Sequence, residues 1–293
     1  MKKIFILLFA TCTVVGANAQ TTINRVIKYD QSGVSASDLG SLPEQIELED
    51  VLAELTYDYN YLIDTTDHTK VKSDMMLVQV GASASKYFSY RSMVIDSLIN
   101  IAPIEEIMNN PAKYAKNTTE EIYKNYPEGK ITTIDCISVN WVRCIEKIPQ
   151  FEWELKEETK EIMGYNCRRA EWSYGGRHWI AWYTDEIPVS VGPWKLDGLP
   201  GAIVEAGDSE GHYTFKLIGV KMNPERKMTL TDTKFVDTSL KQYYNTKRKY
   251  IENPLGGLAA DGMNVTIINQ STGKPMTEAD LIKKMKYDFI ERF

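Results

Sequence analysis

The sequence predicts a mainly β fold of the α+β class, built on an antiparallel sheet. Three observations carry this. Between residues 130 and 220, short runs of β-branched and aromatic residues are bounded by Gly and Pro. Apolar residues recur at period two in Tyr57-Asp58-Tyr59-Asn60-Tyr61 and Tyr213-Thr214-Phe215-Lys216-Leu217, the pattern of a strand with one buried face. Helical spacing is confined to a few short stretches.

The first nineteen residues read as an export signal. Lys2 and Lys3 precede the apolar run Ile4–Gly16, and Ala17-Asn18-Ala19 supplies small residues for cleavage, so the mature chain is expected to begin at Gln20. The apolar run is too short to span a bilayer. Cys12 raises lipidation as an alternative, but Phe9-Ala10-Thr11 approaches it poorly and apolar residues continue beyond it. Residues 20–293 are expected to form a single β-rich domain with no membrane-spanning segment, in the periplasm, at the cell surface or secreted.

Ile23–Tyr29 reads as a first strand. Leu42–Leu55 has Pro43 in a first turn and Ile46, Leu48, Val51, Leu52 and Leu55 at helical spacing, predicting a short amphipathic helix. Tyr57–Ile63, Met75–Val80 and Ser85–Tyr90 read as strands, and the apolar patterning continues through Met93–Asp96. Residues 97–128 are less regular; Ile104, Ile107 and Met108 suggest helix or insertion. Strands follow at Ile131–Ile134, Ile137–Ile148 and Phe151–Leu155, with another beginning at Lys160. Ala170, Trp172 and Tyr174 alternate on one face. Gly175-Gly176 supplies a two-residue turn that accepts positive φ. Trp179–Tyr183 is apolar on both faces, which predicts a strand covered on both sides. Ser239–Ile251 reads as a helix ending before Pro254, Leu255–Leu258 as a loop, and Thr277 with Asp280 as the cap of a final helix through Leu281, Met285 and Phe289.

The stretch "GPWKLDGLPGAI", residues 192–203, lies between two predicted strands. A phosphate cradle needs glycines feeding a helix N-terminus, and neither that nor the G-x-x-x-x-G-K spacing is present. Gly198, Pro200 and Gly201 instead read as a structural turn: Leu199-Pro200-Gly201-Ala202 has the type II pattern, with proline fixing φ and glycine accepting the positive φ that follows.

Composition excludes some functions. The formal net charge is −6, and removing the lysine-bearing leader makes it more negative. A nucleic-acid surface needs clustered excess Lys and Arg, so no such partner is expected. Three cysteines follow the leader: Cys136, Cys144 and Cys167. On one strand at about 3.3 Å per residue, Cys136 and Cys144 would stand roughly 26 Å apart and could not bond. A Cys144–Cys167 disulfide across neighbouring strands is preferred over three separate buried thiols. No Cys-x-x-Cys, no close His partner and no clustered Met pattern points to a metal, and no cofactor is expected.

The run "ETKEIMGYNCRRAEWSYGGRHWIAWYTDEIPVSVGPWKLDGLPGAIVEAGD" (158–208) resembles the signature segment of the GLPGLI family, exported proteins of Bacteroidetes bacteria. "SASKYFSYRSMVIDS", "YKNYPEGKITT" and "KRKYIENP" are similar to its flanking patterns, so the resemblance extends over residues 23–255. Ala202 stands where the family usually has leucine. The resemblance implies export but no established activity and no catalytic residue. More distantly, the pattern resembles lipoprotein-carrier-like half-barrels, which implies a curved antiparallel sheet with helices on its concave face.

His178 follows the Gly-Gly turn, and Asp185 and Glu186 stand at the far end of its strand, roughly 20 Å away at strand rise. No nucleophile elbow or zinc-protease signature appears. His68, His178 and His212 are therefore expected at the surface or in packing. The six tryptophans read as core more readily than as a ligand platform, with Trp194 the exception because its Gly/Pro corner could be exposed. Arg168, Arg169 and Arg177 read as a solvated face. Trp194, Lys195, Leu199, Pro200, Arg177 and His178 are the candidate binding residues. Three hypotheses stay open: a non-enzymatic exported protein that binds a lipid or other hydrophobic ligand or an envelope partner; an interaction module of an outer-membrane complex using Trp194; and a hydrolase without a recognisable motif.

Overall fold

The structure is a computed structural model that describes residues 25–29, 43–103, 106–107, 110, 113–261, 265–269, 274–275 and 286–293. The export signal, the start of the first predicted strand at Ile23, and the predicted final helix with Thr277, Asp280, Leu281 and Met285 lie outside the described residues. Phe289, assigned to that helix from its spacing, is buried in non-helical chain.

The expectation of a mainly β fold holds. Twelve strands form one open sheet in the order β15-β8-β7-β6-β5-β4-β3-β13-β12-β11-β10-β9. Their ranges are β3 Ala53–Leu62, β4 Val71–Val80, β5 Ser85–Ser89, β6 Glu121–Lys124, β7 Lys130–Ile137, β8 Asn140–Lys147, β9 Glu154–Ile162, β10 Tyr165–Tyr174, β11 Arg177–Thr184, β12 Ala202–Asp208, β13 Tyr213–Met222 and β15 Val236–Asp237. Every pairing is antiparallel except β15 with β8. Two ribbons stand apart: β1 (Arg25–Tyr29) with β16 (Val265–Asn269), and β2 (Glu44–Asp50) with β14 (Lys227–Asp232). Among the described residues, helices include α1 (Tyr90–Ile101), α2 (Leu240–Glu252) and α3 (Pro254–Ala260). Among the described residues no helix is long and apolar enough to cross a membrane.

Period two is realised where it was clearest. Leu55, Tyr57 and Tyr59 on β3 and Phe215 and Leu217 on β13 are buried on one face, with Tyr59 stacked on Phe215 at 4.8 Å. Gly175 and Gly176 both take positive φ and close the β10–β11 hairpin. On β11, Trp179, Ala181 and Tyr183 are buried while Ile180 and Trp182 are half-buried, so the second face is only partly covered.

Elsewhere the chain departs from the sequence pattern. Over the described residues 43–55 the predicted helix is instead strand β2 and the start of β3: Ile46 and Leu48 stand two apart as in a strand, while the helical spacing came from Leu48, Val51, Leu52 and Leu55. Glu49 on β2 also reaches the β4–β5 turn, where its carboxylate accepts the Ala82 and Ser83 amides at 3.1 Å and the Ala84 amide at 2.9 Å. Met93–Asp96 lies inside α1, whose first turn is capped by the Ser89 hydroxyl accepting from the Ser92 amide. Ile137–Ile148 is not one strand: the chain turns at Ser138-Val139, and Ile137 faces Asn140. The residues from Lys160 belong to the end of β9, which starts at Glu154. Leu255–Leu258, read as loop, lies in α3, where Pro254 takes the first turn and the Asn253 side chain caps the Gly256 amide at 2.7 Å.

The disulfide expectation fails. Cys136, Cys144 and Cys167 are free and buried. Cys144 lies on β8 and Cys167 on β10, with eight strands of the sheet between them. Because β7 and β8 are paired, the single-strand separation expected for Cys136 and Cys144 does not apply either.

The main core packs one face of the sheet against the β11–β12 connection, through Ile187, Val191, Trp194, Leu196 and Leu199. A second cluster joins α2 to β7 and β8 through Tyr243, Tyr244, Ile137, Val142 and Phe289.

Candidate functional site

The Gly/Pro corner is interior. Trp194 is 1% exposed, with its ring 5.5 Å from Trp179 and 5.7 Å from Tyr174. It is not the exposed aromatic corner that an interaction module would use. Tyr174 stacks on Trp172 at 4.4 Å, and Trp172 lies 5.3 Å from Trp153, so the indoles form a packed row in the core. Leu199 is buried and Pro200 exposed. The turn is tighter than the type II form expected. The Gly201 amide bonds the Leu199 carbonyl at 2.8 Å, closing a three-residue turn on Pro200. Glycine is needed at Gly201 for close approach, since a Cβ there would stand 2.1 Å from the Thr184 carbonyl oxygen. At Gly198 (φ +82°) a Cβ would meet the Phe151 ring at 2.3 Å.

Lys195 and Arg177 are buried cations with structural partners. The Lys195 ammonium contacts Glu146 and Glu291, each at 2.6 Å. Burial opposes its charge, but Glu291 and Glu146 outweigh that and hold its pKa above the usual lysine range. Arg177 is not on a solvated face; its side chain is 1% exposed. It donates to Asp208 at 2.7 Å, Asp288 at 2.8 Å, the Phe289 carbonyl at 2.6 Å and the Ile290 carbonyl at 3.0 Å. The Arg292 amide bonds the Gly175 carbonyl at 2.8 Å, and its guanidinium pairs with Glu210 and Asp288. The hairpin and the corner together clamp residues 288–292.

The histidines divide. His178 is exposed, with Nε2 3.3 Å from Glu171. Asp185 pairs with Arg168 and Glu186 accepts from Asn166, so neither serves His178. His212 Nδ1 lies 3.3 Å from Glu210 and 3.4 Å from Asp288, with the His68 ring 6.0 Å away. Asp208, Glu210 and His212 have the composition of a cation site. Yet Asp208 accepts from Arg177 and the Tyr213 amide, and Glu210 from Arg292. Two guanidiniums already answer that negative charge.

A second polar group anchors α2. The Tyr243 hydroxyl lies 2.6 Å from Glu120 and 2.8 Å from Asp135, and Lys247 reaches Asp135 and the Tyr243 hydroxyl, each at 2.7 Å. Burial, then Asp135 and Glu120, push the Tyr243 phenol well above its ordinary range, so it stays protonated. The same acids hold the Lys247 ammonium up against its burial.

Among the described residues, two recesses are notable. The smaller, about 210 Å³, lies beside the corner between the β4–β5 turn, Phe151 and Val191, with the Lys124–Asp197 pair (2.8 Å) among its lining. The larger, about 520 Å³, is a groove between the β7–β8 turn and α2–α3. Ile137, Val142 and Tyr250 line it with Gly256, Gly257 and Ala260, and its surface is mainly apolar. The glycines let α3 approach: a Cβ on Gly257 would meet the Tyr250 ring at 2.7 Å, and one on Gly256 the Asn253 amide at 2.4 Å. Neither His178 nor His212 lines either recess. Sequence reasoning missed this groove. The available signal was Asn253-Pro254, a cap followed by a first-turn proline, which converts the following glycines from loop to helix.

A family model described as a protein of unknown function (Porph_ging) matches residues 175–205. The match runs from the Gly-Gly turn through Arg177 and the corner into β12, and so includes Arg177 and Lys195 of the clamp but not Asp208. No curated protein matches. Among solved structures, PNGF-II in two crystal forms is similar at 17% identity, with TM-scores of 0.45 and 0.46 over 67% of this chain. That overlap covers 32% and 33% of the PNGF-II chains, so this chain matches about a third of their length.

Proposed function

We propose that this is an exported, non-enzymatic binding protein whose hydrophobic ligand lies in the groove between the β7–β8 turn and α2–α3. The observation that carries the reading is the groove: about 520 Å³ and mainly apolar, it falls in the range of small-molecule sites. The sequence-nominated binding residues offer a ligand less. Trp194, Lys195, Leu199 and Arg177 are spent on the core and the clamp, and His178 stands on the open sheet face. Export is supported by the leader pattern and by the resemblance to the GLPGLI family. The non-enzymatic reading is supported by the use of the buried cations: Arg177, Lys195 and Lys247 each neutralise carboxylates that fix a chain segment in place.

The test is titration with an environment-sensitive naphthylamine probe, on the mature protein and on Thr246→Trp. Thr246 lines the groove and is exposed, so an indole there fills the recess without disturbing the core. Saturable binding by the mature protein and its loss in the variant are expected. Equal binding by both would remove the groove as the site.

A further inference from the structure

The rim of the groove between the β7–β8 turn and α2–α3 carries more negative charge than positive. Among the described residues that line it, the charged ones are Lys249, Glu252 and Asp261. All three are exposed, so a molecule lying in the groove has them within reach. Glu252 is the last residue of α2, where the helix end already carries about half a negative charge. A carboxylate is disfavoured there. Lys249, in the same last turn, is the residue type that position favours, and the helix end answers its charge. Asp261 follows α3 as its C-cap, and its carboxylate accepts from the Asn140 amide at 2.9 Å, a neutral partner that cancels no charge.

Among the described residues no lysine or arginine pairs with either acid. The acids that anchor chain segments are different: Asp135, Asp208 and Glu291 each have a cation at 2.6–2.7 Å. On an open surface an unpaired acid is ordinary. Glu252 and Asp261 instead border apolar walls, Ile137, Val142 and the Tyr250 ring, where less water screens their field. The groove therefore combines an apolar floor with a negative rim.

From this charge pattern we infer that the ligand of the groove is a cationic amphiphile, an amine or quaternary ammonium, whose hydrocarbon part lies along Ile137, Val142 and Tyr250 and whose charge is met by Glu252 and Asp261. The inference rests on the groove being the binding site, and it names the class of molecule that site takes. A carboxylate or phosphate head would be repelled by the same rim.

The test displaces the naphthylamine probe with decyltrimethylammonium, decanoate and 1-decanol, three heads on one chain length. The proteins are the unaltered chain, Glu252→Gln with Asp261→Asn, and Lys249→Gln. Decyltrimethylammonium is expected to displace better than decanoate. It should weaken by about 1.5- to 5-fold for each acid removed, the range of an exposed ion pair, and tighten in Lys249→Gln. Raising the salt from low to physiological strength should weaken it too, while 1-decanol stays the same across proteins and salt. Glu252→Gln alone should melt no lower than the unaltered chain, because it removes a charge that the helix end opposes; a clear loss of stability would show that Glu252 serves the fold and would overturn its role here. Decanoate displacing as well as decyltrimethylammonium, or an ammonium affinity unchanged in the double variant, would overturn the inference while 1-decanol displacement leaves the groove standing. If the protein binds no probe, the groove reading fails and this inference fails with it.

Discussion

Replacing Arg177 by alanine removes the centre of the C-terminal clamp. The guanidinium is 1% exposed, and so is the Asp208 side chain it pairs with. Alanine would leave Asp208 buried with no cation at 2.7 Å, and would free the Phe289 and Ile290 carbonyls. Breaking a buried pair from one side costs about 3–5 kcal/mol, chiefly because the remaining charge stays desolvated. Shared contacts temper this, since Arg292 still holds Asp288 and Glu210. At about 2–4 °C per kcal/mol for a chain of this size, the melting temperature should fall by roughly 6–20 °C. Arg177→Lys keeps the charge but not the four-acceptor fork, and should lose part of that. The double variant Arg177→Ala with Asp208→Asn should recover some of the loss, because it removes the stranded carboxylate. The assay is thermal unfolding followed by tryptophan fluorescence, with limited proteolysis of the C-terminal residues in parallel. A shift under 2 °C in Arg177→Ala, with an equally protected C-terminus, would refute the clamp.

Acid should loosen the same region. Burial favours the protonated form of Asp288, but Arg292 and Arg177 outweigh it and hold the carboxyl below its usual range; the Arg292 hydrogen bond lowers Glu210 likewise. Folded pKa values depressed in this way contribute stability that is present above about pH 4 and lost as pH falls through the folded values. Urea midpoints should therefore hold from pH 7 to 5 and drop below pH 4, and the drop should shrink in Arg292→Ala. All three described thiols are buried, and burial pushes Cys144 up to about 12. A thiol reagent should react slowly with the native mature protein and titrate three groups in denaturant; one group in denaturant would restore the disulfide.

What could be read in advance was whatever local chemistry decides alone. The tyrosines of β3 and the alternation of β13 admit one reading, and Gly175-Gly176 carries its own turn. Glu44–Asp50 was misread because Leu48 also fits the helical spacing of Val51, Leu52 and Leu55, and pairing with β14, far along the chain, decided it. Ser138-Val139 hides a turn because it lacks the Gly, Asn or Pro that usually marks one. Arg177 read as a surface charge and Lys195 as a candidate binding residue because their partners, Asp288 and Glu291, lie about a hundred residues onward. Nothing local announces that two cations will be buried by the end of the chain. The groove was illegible for a related reason: it is made by a turn on one side and a glycine-bearing helix on the other, and neither is a site by itself.

Native mass spectrometry of the protein purified from the cells that make it, beside Thr246→Trp prepared identically, tests the central claim most directly. The account predicts a small hydrophobic molecule retained by the protein, released by organic solvent, and missing from the variant. The bare mature mass in both proteins, or the same molecule held equally by both, would contradict it.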